Sequence, residues 1–169
     1  WPAPAKVNWF LHVNGRRTDG YHNIQTYFQF LELQDRLDFI LRDDQAVYLT
    51  GTTVTHDAEE DLTIRAVKLL KSHCGVKNGV EIRLTKNIPV GGGLGGGSSD
   101  AATVLVALNA LWHLGLTESE LRTLGLGLGA DVPVFVSGEA TWAEGVGDLL
   151  YEENGVEESI LLLFPKVNV

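Results

Sequence analysis

Six of the seven residues from Gly91 to Gly97 are glycine, interrupted only by Leu94, and the run leads from Pro89-Val90 straight into Ser98-Ser99-Asp100. Fixing so many glycines in one conformation costs more backbone entropy than ordering any comparable stretch of chain. A surface turn needs one or two of them. A run of this length lets backbone N–H groups approach an anion closely, with no Cβ in the way. The spacing predicts a helix from Ser98 to His113, which aims its free N–H groups and positive dipole end at the same place. The ligand that suits such a loop is a phosphate chain.

Three kinds of phosphate loop are separated by the residues around it. A P-loop ends in Gly-Lys-Ser/Thr, and no lysine lies between Pro89 and Asp100. Gly91, Gly93 and Gly96 satisfy G-x-G-x-x-G, but a dinucleotide fold then needs a second strand ending in an acid about 20 residues on. Here the Ser98–His113 helix is followed by another opening at Thr117, so no such strand arrives. The V-A-I-K, H-R-D and D-F-G signatures of protein kinases are missing as well. A flexible linker is a poor reading because amphipathic segments flank the run tightly on both sides.

A chain of 169 residues with 44% hydrophobic composition is of single-domain size. Its formal net charge of -9 leaves no basic footprint for nucleic acid. An acidic protein that binds an anionic nucleotide must rely on local backbone donors and a metal ion. The single Cys74 excludes a disulfide within this sequence and a cysteine-based zinc site, and it favours a reducing compartment. No apolar run approaches the roughly 20 residues of a membrane span. There is no methionine, so residue 1 is not expected to be the translational start. The lone cysteine and the lack of a visible signal peptide suit a bacterial cytoplasm, or a plastid stroma if a leader has been removed.

Lys6 to Val13 alternates as a strand, with Val7, Trp9, Leu11 and Val13 on one face and Lys6, Asn8, Phe10 and His12 on the other. Arg16 to Gly20 reads as a turn. Asn23 to Leu33 and Arg36 to Leu41 read as strands joined by a tight Gln34-Asp35 connection, with Val47 to Thr50 a possible edge. Asp61 caps a helix bearing Leu62, Ala66, Leu69 and Leu70, ended by Gly75. Val80, Ile82 and Leu84 alternate into the glycine loop. Thr117 with Glu120 forms a capping box, and Gly125, Gly127 and Gly129 end that helix. Strands are expected near Ala140 to Trp142 and over Ile160 to Phe164. The order predicts an α+β domain with helices packed on one face of a mostly antiparallel sheet.

Asp131 stands in Gly-Ala-Asp-Val-Pro-Val-Phe, residues 129–135, among almost wholly apolar neighbours. A carboxylate there either caps a turn before Pro133 or faces a cleft. Spacing alone leaves both open.

Pro89-x-Gly-Gly-Gly-Leu-Gly-Gly-Gly-Ser-Ser resembles the phosphate motif of the superfamily named for galactokinase, homoserine, mevalonate and phosphomevalonate kinases, and Gly-Ala-Asp-Val-Pro-x-Phe resembles its second motif. Pro4-Ala5-Lys6-Val7-Asn8, followed by Arg17-Thr18-Asp19-Gly20-Tyr21-His22, resembles the branch that phosphorylates a cytidine-diphosphate-linked methylerythritol with ATP in the non-mevalonate route to isoprenoids. The resemblance runs from residue 1 to about Phe164. It implies Mg-ATP as phosphoryl donor, a small-molecule acceptor, and no nucleic-acid or membrane partner. A mevalonate-type kinase of the same superfamily would lack the pyrimidine-nucleotide requirement, and a non-catalytic nucleotide-binding module would not turn over.

Carried over residue by residue, the resemblance makes Asp131 the base and Lys6 its cationic neighbour at the reacting hydroxyl. It assigns Asn8, Tyr21, His22 and Phe28 to the substrate, with Tyr21 stacking on cytosine and His22 at the pyrimidine edge. ATP would be held by Asp61, Leu62, Lys86, Pro89, Gly91, Gly92, Gly93, Leu94, Gly95, Gly96, Gly97, Ser98 and Ser99. The superfamily commonly shows Asn where Asp61 stands. The remaining histidines, His12, His56, His73 and His113, have no ligand spacing. On this reading residues 1–164 form one ATP-binding and catalytic domain with a ribosomal S5 domain 2-like fold, and 165–169 begin the connection to a second domain of roughly another hundred residues.

Overall fold

The computed structural model describes residues 1–18, 20, 22–51, 61–147, 149–152, 155 and 158–163. Six strands and four helices follow in the order β1 (Pro2–Arg16), β2 (His22–Arg42), β3 (Val47–Gly51), α1 (Leu62–Cys74), β4 (Gly79–Thr85), α2 (Gly96–Leu111), α3 (Glu118–Leu126), α4 (Val132–Ser137), β5 (Thr141–Glu144) and β6 (Leu149–Glu152). They build one sheet in the order β3-β4-β2-β5-β6, with β1 on β2. Every pairing is antiparallel except β3 with β4. The α+β architecture predicted above is therefore the one observed.

The helix boundaries follow from their caps. Asp61 accepts the Thr63 N–H at 2.8 Å, and Gly75 ends α1 with φ 69°, a left-handed conformation open to glycine at little cost. Thr117 and Glu120 close the expected capping box on α3. Gly125 is needed for space: a Cβ there would stand 2.8 Å from Val132 Cγ1, where α3 crosses α4.

The core is made by α2 lying across the sheet. Ala101, Val104, Leu105 and Leu108 are fully buried against Val67 and Leu70 of α1, Val80 and Ile82 of β4 and Val132 of α4. Its apolar surface on most sides is what makes it the central helix.

Two expectations fail here. Gln34-Asp35 is no turn, and Asn23–Leu33 and Arg36–Leu41 belong to one 21-residue strand, β2. The polar pair is tolerated mid-strand because Asp35, fully buried, is satisfied by groups more than 50 residues away. Residues 160–163 form no strand, although all four are apolar, and Leu161 and Leu163 are 84% exposed. A β-strand needs a ladder neighbour, and none of the described strands pairs with this segment. Phe164 and the expected boundary at 164/165 lie outside the described residues, as does Thr52 to Glu60. No helix among the described residues is long and apolar enough to cross a membrane.

Candidate active site

β4 delivers the chain to the glycine loop at the N-terminus of α2. Gly91, Gly93 and Gly95 take φ values of 76°, 70° and 72°, conformations costly for any residue with a Cβ. Helix α2 begins at Gly96, two residues before the predicted Ser98, with Gly95 as N-cap and no side-chain cap. Its first N–H groups are thus not claimed by a capping side chain. A Cβ on Gly91 or Gly93 would meet nothing within 4 Å, whereas one on Gly95 would sit 2.7 Å from the Phe135 ring and 3.2 Å from Lys6 Cε. The loop faces a cleft of about 260 Å³, walled by Asp61, Leu62 and Thr63 at the start of α1, by Leu84, Lys86, Ile88, Pro89 and Val90, by residues 91–97 themselves, and by Asp100.

On the other side of the loop lie Lys6 and Asp131, their Nζ and Oδ2 3.3 Å apart. The Lys6 backbone N–H donates to the Leu94 carbonyl at 3.0 Å, fastening β1 to the loop. Register breaks between Pro4 and Lys6 and between Asn8 and Leu11 set this part of β1 apart, as bulges often do beside a site. Lys6 Nζ donates to Asn8 Oδ1 at 2.7 Å, Asn8 Nδ2 to Thr26 Oγ1 at 2.6 Å, and Thr26 Oγ1 to the Phe10 carbonyl at 2.6 Å. The ammonium also lies 5.2 Å above the Phe28 ring. Lys6 is thereby held in one place with its side chain 9% exposed, while the Asp131 side chain is 34% exposed. Asp131 stands at the N-cap of α4 but makes no side-chain cap bond. The carboxylate pairs with Lys6 and does not bond the helix end.

Behind the loop, Asp35 Oδ1 accepts the Asn87 and Ile88 N–H groups at 2.6 and 2.9 Å. Lys86 Nζ donates to Asp35 Oδ2 and, at 2.7 Å, to Asp100 Oδ2. Burial pushes the Asp100 carboxyl up to about 7; Lys86 pulls it down, and the Asp35 and Asp61 charges push it further up. Burial works to lower Lys86, but the Asp100 and Asp35 carboxylates outweigh it and hold the ammonium above the usual lysine value.

The unfolded chain releases the Asp100 proton near its ordinary 3.8 and the folded chain near 7. The folded state therefore binds more protons in that window, so stability falls as pH rises through it. Asp100→Asn is expected to raise the melting temperature by several degrees at about pH 8 and to match wild type at about pH 4. Thermal scans at both values check this, and equal melting temperatures at the higher pH would contradict it.

The structure thus joins Lys6, Asn8 and Asp131 beside the loop, with Phe28 buried beneath them as a wall. Asp61, Leu62, Lys86, Pro89 and residues 91–97 enclose the cleft. Lys86 does so with its ammonium engaged by two carboxylates. Ser98 and Ser99 stand outside that lining, Ser99 fully buried. His22 is exposed at the start of β2, six residues and roughly 20 Å along the strand from Phe28. Tyr21 lies outside the described residues. Thr26, Asp35 and Asp100 were not legible in advance. A strand threonine and an acid near a helix's start are ordinary residues, and only the long-range contacts distinguish them.

A glycine loop at a helix N-terminus beside a fixed lysine–aspartate pair suits a phosphate chain and an acceptor group, and residues 61–139 match the model of the GHMP kinases N terminal domain. That match covers 79 of the 169 residues. Over its full length it is 52% identical to the 4-diphosphocytidyl-2-C-methyl-D-erythritol kinase of Shewanella loihica and 55% identical to that of Xanthomonas oryzae pv. oryzae. It spans 60% and 58% of their lengths. A crystal structure of 4-(cytidine 5'-diphospho)-2C-methyl-D-erythritol kinase superposes with a TM-score of 0.78 at 43% identity, covering 90% of this chain and 54% of that one. Mevalonate kinase of Methanococcus jannaschii, at 14% identity and TM-score 0.69 over 92% of this chain and 55% of its own, shares the fold.

Proposed function

We propose that this chain is the nucleotide-binding and catalytic part of a kinase that moves the γ-phosphoryl group of ATP to the 2-hydroxyl of 4-diphosphocytidyl-2-C-methyl-D-erythritol. The observation that carries the reading is the Lys6–Asp131 pair fastened to the glycine loop through Leu94. A hydroxyl placed against Asp131 gives up its proton to that carboxylate as its oxygen bonds to the γ-phosphorus and the bond to the leaving ADP oxygen breaks. Lys6, fixed by Asn8 and Phe28, meets the charge that develops there. The loop N–H groups and the N-terminus of α2 hold the phosphates in line. The described residues hold no cluster of three His, Cys, Asp or Glu side chains able to cage a metal. Mg2+ is proposed only as the counter-ion that the triphosphate brings. The proposed compartment is the bacterial cytoplasm, and the proposed domain covers residues 1–164.

The test is phosphoryl transfer by the full-length protein with the cytidylyl substrate, its uridylyl counterpart and mevalonate as competing acceptors. Preference for the cytidylyl compound is expected. Equal use of mevalonate would overturn the assignment within the family, and no transfer to any acceptor would leave a binding module.

Tyr21 and His22 are proposed for the cytosine. His22→Ala is expected to raise KM for the cytidylyl substrate about fivefold or more, with kcat little changed, through loss of an edge hydrogen bond. Steady-state kinetics check this, and an unchanged preference for cytidine over uridine would remove His22 from base recognition.

A further inference from the structure

Asp35, Lys86 and Asp100 come from three separate parts of the chain: the middle of β2, the exit of β4 and the first turns of α2. Together they grip both ends of the glycine loop. Asp35 takes the N–H groups of Asn87 and Ile88, which lead into it, and Lys86 crosses to Asp100, five residues beyond the N-cap Gly95. The Lys86 ammonium lies 3.2 Å from where a Cβ on Gly96 would stand, directly beneath the loop's last peptides. Asp35 and Asp100 are 0% and 2% exposed, so solvent screens these charges little.

We propose that this cluster positions the phosphate cradle and that one proton on Asp100 tunes the cradle's affinity for nucleotide. With the proton present, the charges of Asp35 and Lys86 offset one another beneath the loop's N–H groups. Without it, one more negative charge stands buried beside the loop and opposes the phosphates. The inference rests on the nucleotide-binding role proposed above.

Two features of Asp100 support it. Its Oδ2 takes the Lys86 bond, while its Oδ1 is buried with no hydrogen-bond partner among the described residues. A carboxyl so placed is pushed up to about 7, within reach of physiological pH. Among the described residues, the charged groups that face it are Lys86, Asp35 and, at the N-cap of α1, Asp61. An anionic ligand on the loop favours the protonated form, so nucleotide binding draws a proton from solvent onto Asp100.

Calorimetric titration of the full-length protein with ADP at about pH 7.5, in two buffers of different ionisation enthalpy, measures that proton. Wild type is expected to take up a substantial fraction of one proton per ADP, and Asp100→Asn, which mimics the protonated form, to take up markedly less. The ratio of variant to wild-type affinity should rise from near unity at about pH 6 to threefold or more at about pH 8.5. Equal proton uptake with a flat affinity ratio would overturn the proposal while leaving the nucleotide site intact. If Asp100→Asn did not fold, wild-type uptake below about a tenth of a proton would overturn it alone. Failure of wild type to bind ADP would overturn the nucleotide reading and this inference with it, and loss of binding in the variant alone would overturn only the inference.

Discussion

Asp131→Asn in the full-length protein is expected to fold, to bind ATP and to lose phosphoryl transfer by a factor of about 100 or more, the usual scale for a positioned base. Folding should survive because Asp131 caps α4 by position only, with no side-chain hydrogen bond to the helix. The amide keeps the shape but has no basic oxygen for the substrate proton, and it no longer pairs as an anion with Lys6 at 3.3 Å. A loss in kcat and kcat/KM of similar size, with nucleotide affinity retained, is the pattern of an interaction made in the transition state. Single-turnover transfer checks it. Near-normal turnover would assign the proton to another group.

The largest stability effect is expected at Asp35. Asp35→Ala removes the acceptor of two backbone N–H groups and one of the two carboxylates holding Lys86, all in a fully buried place. Breaking such a network strands donors that water cannot reach, at a cost of about 3–5 kcal/mol. Because Asn87 and Ile88 lead into the loop, ATP affinity should fall with stability. Urea unfolding of variant and wild type at neutral pH measures the first quantity and calorimetry the second. A change below about 1 kcal/mol would mean that solvent reaches the cluster.

The same residue shows where sequence stops informing structure. Gln34-Asp35 interrupts an apolar alternation, and locally such a pair is a turn signal. What keeps β2 continuous is the β1 ladder along residues 34–36 together with partners of Asp35 at Lys86, Asn87 and Ile88. A window of a dozen residues cannot contain them. Residues 160–163 show the converse: they have the composition of a strand, but composition does not supply a neighbour to pair with. The caps of α1 and α3, by contrast, are complete within four or five residues, and Asp61, Gly75, Thr117 and Glu120 behave as read.

The candidate site divides along the same line. The loop was legible because its chemistry is contiguous, and the shared face of Lys6 and Asn8 because strand alternation holds over three residues. The meeting of Lys6 with Asp131 spans most of the chain, and only the motif resemblance pointed to it. Thr26, which locks Asn8, gave no local signal.

The most direct test of the account is a crystal structure of the full-length protein with the cytidylyl substrate and a non-hydrolysable ATP analogue. The γ-phosphate is predicted to lie on the backbone of Gly91 to Gly97, with the substrate 2-hydroxyl within hydrogen-bond distance of the Asp131 carboxylate and Lys6 Nζ beside both. A hydroxyl bound away from Asp131, or phosphates lodged outside the glycine loop, would contradict it.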